Sequence, residues 1–388
     1  MKMRYEVYLW GAGKMESVVR ALVLPEVTIK GIVDINARNI QEMDGIPVIL
    51  PQEIGKFDVM IVTAKHTDGI CRMYLDMGLP QEKLLLPWQE DVREGTLLDA
   101  GAWKALRDGE QDKREMMRRL NAPFEQEGGF PHIESAERLL GRILREGASL
   151  CRFGDGEFEI MRMRNRAWFE KASALLAQRL KEIVTANREG VLIAVADNFG
   201  SLEKYTEEAA DGIREYLTDG NTREAVLDFL SAEVTYYDAY VSRPYMIYRD
   251  KSHADVIFSL WKRIFAERNL LVVEGEHAKS GIGNDLFDSS RSIQRVICPD
   301  KNAFSQYGDI LRCVMSKAQK DDLILISLGP VATVLAYDLA CAGFQAIDIG
   351  QLDNEYDWYR MGVQHRVAIP GKLVAEVSRV TLVTGELL

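Results

Sequence analysis

Apolar runs of strand length alternate with helical segments along almost the whole chain, and this alternation narrows the fold more than any other feature. A strand, a helix and a further strand in succession imply parallel pairing, because the crossover returns the chain to the same end of the sheet. Near the N-terminus "YEVYLWGAGK", "TIKGIVDIN", "IPVI", "FDVMIVTA" and "KLLLP" read as strands, with "MESVVRALVL" a helix between the first two. The pattern returns with "ASLCRF", "GVLIAVA", "NLLVVEG", "SIQRVICP", "LILISLG" and "FQAIDIG", separated by segments such as "ASALLAQRLKEIVTANR" and "VATVLAYDLACAG". The expected class is α/β, with two Rossmann-like domains built on mainly parallel sheets.

Between the two halves the pattern lapses. "LRDGEQDKREMMRRL" and "NAPFEQEGGFP" are charged and carry no sustained apolar face. Residues 1–88 are therefore read as an N-terminal Rossmann-like domain, 89–130 as a charged helical connector and 131–388 as a larger second domain. That domain opens on a helix with Ile133, Ala136, Leu139, Leu140, Ile143 and Leu144 on one face and Gly147 as its C-cap.

Composition excludes several classes. A chain of 388 residues, 47% hydrophobic, has room for two cores. No run reaches the roughly 18–20 apolar residues of a membrane span. The N-terminus reads as a first strand rather than a signal peptide. Five scattered cysteines without metal spacing suggest reduced thiols and a cytoplasmic protein. A formal charge of −11 argues against nucleic-acid binding, so a phosphate-bearing ligand needs a local cation or a metal. A homo-oligomer is left open.

Several stretches carry chemistry. "LWGAGKMES" offers Gly11-x-Gly13, with Glu16 at the third glycine of a dinucleotide fingerprint and Asp34 where a ribose-binding acid would sit. The plain reading is a tight first turn with no ligand. In "CRFGDGEFE", Asp155 and Glu157 stand one residue apart among glycines, and in extended backbone both would face one side. Two such carboxylates suit Mg²⁺ or Mn²⁺, although a solvated turn or a glycosidase-like acid pair has the same spacing.

"VVEGEHAKSGIGND" places Lys279, Gly283, Asn284 and Asp285 after a buried strand, suited to phosphate or ribose, or else a long surface loop. It also holds His277, the histidine with most claim to a functional role. "AIDIGQLDNEYDW" places Asp348 and Asp353 at a strand's carboxyl end, as a metal ligand, a catalytic base or a sugar contact. "VTYYDAYVSRPYMIYRDKS" surrounds Arg243 with five tyrosines, a pocket wall or a piece of core.

Taken in order, "RFGDGEFE", "SRPYMIYRDKS", "VVEGEHAKSGIGNDLFD", "SIQRVICPDKNAFSQYGDIL", "LGPVATVLAYDLA" and "QAIDIGQLDNEYDW" resemble a bacterial glycosyltransferase family of GT-D fold, first catalogued as a domain of unknown function. The resemblance runs from about Pro131 to the vicinity of Glu376. It implies transfer of a sugar from a nucleotide-diphosphate donor, and the expectation set beside it is a UDP-sugar donor with a glycan or glycoprotein as acceptor. It also implies Mn²⁺ or Mg²⁺ at an Asp-x-Glu motif, here Asp155 and Glu157. Arg152, Gly154, Arg243, Lys279, Gly283, Asn284 and Asp285 become candidate donor-site residues, and Asp348 and Asp353 candidate catalytic acids. Family members usually carry histidine after the Asp-x-Gly step, where this chain has Gln351, whose amide oxygen could still ligate a hard cation. Two other readings stand beside this one: a non-catalytic nucleotide-sugar binder, and an NAD-dependent oxidoreductase working through Gly11, Gly13 and Asp34.

Overall fold

In the computed structural model of the chain, residues 5–372 and Val374 are described, except positions 14, 36, 38, 39, 66, 90, 91, 93–96, 127–130, 165–169 and 373. The connector expected at 89–130 therefore lies partly outside the described residues. The described chain forms two units, one from the residues up to Glu115 with His365–Ala368, the other from Met116–Gln364 with Ile369–Val374.

The apolar runs of the first unit become β1 (Glu6–Trp10), β2 (Thr28–Val33), β3 (Glu42–Met43), β4 (Ile46–Ile49), β5 (Val59–Val62) and β6 (Leu84–Leu85). They pair in the order β3-β4-β2-β1-β5-β6, parallel throughout except for the short β3–β4 hairpin. Val7, Leu9, Ile32 and Ile61 face one core, shared with Val19 of helix α1 (Glu16–Ala21); Tyr8, Trp10, Val33 and Val62 face the other, shared with Tyr74 of α2 (Asp68–Asp76). A strand buried on both faces loses its period-two polarity, which is why these runs read as continuously apolar. The 27-residue helix α3 (Ala100–Gln126) follows, and the division between units falls within it.

In the second unit β7 (Ile133–Glu134), β8 (Ser149–Phe153), β9 (Val191–Val195), β10 (Tyr236–Asp238), β11 (Asn269–Gly275), β12 (Ser292–Cys298), β13 (Leu323–Ser327) and β14 (Gln345–Asp348) form one sheet. Its order is β12-β11-β13-β14-β8-β9-β10-β7, with every recorded pairing parallel. The α/β class and the mainly parallel sheets are as expected. Two strands escaped the sequence reading. Ile133 belongs to β7 rather than to the helix, which as α4 (Ala136–Glu146) begins after its Ser135 cap and ends at Gly147 with φ 66°. β10 hides in the tyrosine cluster, where three residues are too few for a periodic signal.

The crossover helices divide between the two faces of this sheet. Side chains of α5 (Asp155–Met161), α6 (Ala174–Val184), α10 (Tyr307–Lys317) and α11 (Pro330–Cys341) share one core. Against the other face lie α9 (Ser252–Phe265) and α12 (Leu352–Met361), where Phe258 packs on Tyr356 and Tyr359. β8 therefore sends its helices to one face while its neighbour β14 sends α12 to the other. Between such strands an open α/β sheet has its ligand crevice, outside the carboxyl ends. Ile347 and Leu150 are the one recorded pair of the β14–β8 ladder, close to the end of β14 at Asp348.

Candidate functional site

β8 ends at Phe153, and Asp155 and Glu157 are N1 and N3 of α5 rather than alternate residues of an extended strand. The shared side expected from extended backbone is therefore lost, because helical residues two apart do not face each other, although both acids complement the N-terminal end of the helix dipole. Glu157 turns back so that its Oε2 accepts the Gly154 N–H at 2.7 Å. Burial, reinforced by the charge of Asp348 across the crevice, pushes Glu157 up to about 7. Asp155 is exposed, and no hydrogen-bond or ion-pair partner is recorded for it among the described residues. Burial raises the phenols of Tyr216 and Tyr240, and the charge of Asp155 adds to both shifts.

Asp348 closes β14 and is 2% exposed. Burial raises its carboxyl and Arg152 opposes the shift. Arg152 crosses from β8 to donate to Asp348 Oδ1 (2.8 Å), to the Asp348 carbonyl (3.0 Å) and to the Ala239 carbonyl beyond β10 (3.3 Å). Its donors thus link β8 to β14 and to the turn after β10, and the candidate donor-binding arginine is largely occupied within the protein. Gly350 permits this: its φ is 48°, and a Cβ there would lie 1.9 Å from an Arg152 nitrogen. Gly350→Ala is expected to cost roughly 2–4 kcal/mol, left-handed strain and steric clash together, read as a lower urea midpoint.

Gln351 caps α12, and its Oε1 is buried without a hydrogen-bond partner. An orphaned buried amide oxygen and carboxylates are both hard oxygen donors, the ligand type that suits Mg²⁺ or Mn²⁺.

The glycine-rich loop after β11 is tied from both sides. Ser280 N–H donates to Glu274 Oε2 at 2.7 Å, and Glu274 is paired with Arg295. From α12, Asp353 Oδ1 accepts the Gly281 N–H (2.7 Å) and Asn284 Nδ2 (2.8 Å). Asp357 Oδ1 also accepts from Asn284, at 2.9 Å. Lys372, whose side chain is 4% exposed, completes the group with 2.6 Å bonds to Asp353 and Asp357. Asp353, expected among the catalytic acids, is thus committed to holding the loop, and so is Asn284. Lys372 escaped the sequence reading because a lone lysine far along the chain carries no local signal. Asp285 is drawn down to about 2 by Lys262, and also bonds Tyr356 and Arg360, all on α9 and α12. Gly283 is exposed at the loop tip, and Lys279 has no recorded ion pair among the described residues.

The tyrosine cluster is mainly core. Tyr236, Tyr237, Tyr245 and Tyr248 are buried; Tyr236 donates to the Val184 carbonyl, and the half-buried Tyr240 to Asn198. Arg243 lies half-buried at the end of the turn after β10, where its charge acts on Tyr240. Asp238 receives the Tyr248 hydroxyl at 2.9 Å and the Tyr240 N–H at 2.8 Å, and burial pushes it up to about 6. The folded state holds this proton to higher pH than the unfolded chain, where an aspartate titrates near pH ~4. The stabilisation is therefore full below pH ~4 and lost as pH rises through about 6. Asp238→Asn is expected to shrink the stability difference between acidic and neutral pH by about 2–3 kcal/mol, read from urea melts.

In the first unit, Gly11 N–H donates to the Val33 carbonyl at 2.9 Å and Ala12 N–H to Asp34 Oδ2 at 2.8 Å. Gly13 is exposed. Glu16 is fully buried at the start of α1, with Arg20 Nε 2.8 Å away. A carboxylate thus stands where a pyrophosphate would need bare backbone.

An acid-lined crevice at a switch point of a parallel sheet is the ligand-binding architecture of Rossmann-like enzymes. Comparison with known proteins narrows the class. The family model for the glycosyltransferase GT-D fold matches residues 150–377, more than half of the chain. The chain belongs to the glycosyltransferase family of GT-D fold. It is 36% identical over 246 residues to a probable glycosyl transferase Gly of Streptococcus gordonii, covering 63% of this chain and 35% of the relative. It is 34% identical over 247 residues to glycosyltransferase GlyD of Streptococcus pneumoniae, covering 63% and 30%. The chain thus spans about a third of the length of these curated relatives. A solved domain of unknown function 1792, described as having a distinct glycosyltransferase fold, superposes with a TM-score of 0.60 at 35% identity. That match covers 67% of this chain and 90% of the other. A solved glycosyltransferase from Streptococcus sanguinis gives 0.58 at 34%, over 63% and 91%. The model of C2185-like N-terminal domains matches residues 3–85.

Proposed function

We propose that the chain is a metal-dependent glycosyltransferase that moves a sugar from a UDP-sugar to a glycan acceptor, on a glycoprotein or a surface polysaccharide. The observation that carries this reading is the crevice itself. Asp155 and Glu157 follow β8 and Asp348 closes the adjacent β14, and burial, reinforced by the charge of Asp348, pushes Glu157 up to about 7. Asp155 and Glu157, with the Gln351 amide oxygen, would hold Mn²⁺ or Mg²⁺, which when bound neutralises charge on the departing diphosphate. Lys279 brings a cation from the loop after β11. Three strand spacings separate that loop from β8, a span of about 14 Å. That suits an extended nucleoside diphosphate lying across the strand ends, diphosphate at Asp155 and nucleoside towards β11. Arg152 and Asp348 act as positioning residues that hold the crevice walls, and Asp353, Asn284 and Lys372 position the loop.

Among the described residues no helix is long and apolar enough to cross a membrane. The five cysteines are unpaired, which fits a reducing compartment, and we place the reaction in the cytoplasm. Calorimetric titration of UDP tests the proposal. Binding is expected with Mn²⁺ and is expected to vanish with EDTA; binding that ignores the metal, or none in either condition, would defeat it.

A further inference from the structure

A second group of ligating side chains meets at the other end of the sheet's strand order, where β11 and its edge neighbour β12 finish. Glu276 and His277 follow β11, and Asp300 follows β12. One ligand atom from each lies within 4.8 Å of the other two. The group is built rather than incidental. Asp300 Oδ1 accepts the backbone N–H of His277 at 3.1 Å, while Oδ2 lies 2.5 Å from His277 Nδ1. A Cβ on residue 275 would stand 2.4 Å from Asp300 Oδ1, so only Gly275 admits this carboxylate. Glu276 is anchored through its N–H to the Cys298 carbonyl at 3.1 Å, with its side chain exposed. His132, His253 and His365 meet carboxylates of Glu134, Glu137 and Asp68 at the longer distances of 3.6, 3.4 and 3.8 Å. His277 has ligand atoms of two acids, Glu276 and Asp300, within reach of one ion.

We propose that Glu276, His277 and Asp300 form a divalent-cation site separate from the crevice, taking a borderline first-row ion such as Zn²⁺ or Co²⁺. A carboxylate held through one oxygen by a backbone N–H, with the other turned to an imidazole, has the outer support that orients metal ligands. One nitrogen and two carboxylate oxygens favour Zn²⁺ or Co²⁺ over Mg²⁺, which prefers oxygen alone. The ion replaces the proton shared by Nδ1 and Oδ2, which moves to Nε2 or leaves to solvent. With bonds of about 2.1 Å the ligand atoms stand roughly 3 Å apart, so the pair opens slightly and the exposed Glu276 swings in. The bound ion clasps the start of the glycine-rich loop to the β12 turn, while α12 holds its far end through Asp353. The site does not depend on the proposed transferase reaction.

The test uses the full chain carrying Asp155→Asn and Glu157→Gln, so that the crevice cannot contribute. Co²⁺ is titrated with visible absorption as readout, and Zn²⁺ by calorimetry. One ion per chain is expected in this double variant. Adding His277→Ala, Asp300→Asn or Glu276→Gln is expected to weaken binding by about 10- to 100-fold or more. Glu276 is exposed, so Glu276→Gln keeps the fold and carries the test if either other change fails to fold. Absence of binding, binding unchanged by both Glu276→Gln and His277→Ala, or binding lost with the crevice acids alone would each overturn the proposal.

Discussion

Asp155→Asn is expected to weaken Mn²⁺-dependent UDP binding, and any sugar transfer, by about a hundredfold or more while leaving the thermal midpoint nearly unchanged. The size follows from the several kcal/mol that a bound cation contributes to a charged leaving group, at about 1.4 kcal/mol per factor of ten. The unchanged midpoint follows from geometry. Asp155 is exposed at the first position of α5, and no partner is recorded for it. Glu157→Gln would make a poorer probe, because Glu157 also accepts the Gly154 N–H and so contributes to the turn. Calorimetry with and without Mn²⁺, beside a thermal melt, reads both quantities. UDP affinity unchanged by Asp155→Asn would take the metal out of the crevice.

Lys372→Met is expected to be the most destabilising single change in the second unit. It leaves Asp353 and Asp357 facing one another without the ammonium that both bind at 2.6 Å. Burial already raises the Asp353 carboxyl against the pull of Lys372, so without that ammonium only the Gly281 N–H and the Asn284 amide are left to hold it. Breaking a buried ion pair from one side costs about 3–5 kcal/mol, which for a unit of this size lowers the midpoint by roughly 10 °C. Much of that loss belongs to the stranded acids, so adding Asp353→Asn and Asp357→Asn to Lys372→Met should recover part of it. The same variant should loosen the glycine-rich loop, raising the apparent Kd for UDP more than the fold loss accounts for. A midpoint shift of less than about 2 °C would show that solvent or another cation takes the place of Lys372.

The sequence showed which segments would be strands because each is short, apolar and bounded by turn residues. It showed that the sheets would be parallel because helices intervene. Its failures follow the same logic. β10 is three residues long, and β7 abuts a helix whose periodicity absorbed Ile133. Asp155 and Glu157 were identifiable by type and spacing, yet they open a helix that the glycines around them disguised, so the extended backbone expected to align them is absent. Arg152, Asn284 and Asp353 were picked out as ligand contacts, and their recorded bonds are to the protein. The resemblance to a glycosyltransferase family came from the order of long motifs, which a single sequence can carry.

Local chemistry was therefore determined by the sequence alone: which runs bury on both faces, where acids cluster after a strand, and where the backbone must be glycine. Partnership was decided only by the tertiary structure. Whether a carboxylate is open to a cation, as Asp155 is, or already satisfied, as Asp353 is by Lys372, depends on residues distant in the chain. A buried charge is stable only where another element delivers its counter-charge, and that meeting is set by how β8, β14 and α12 cross at the crevice rather than by local sequence.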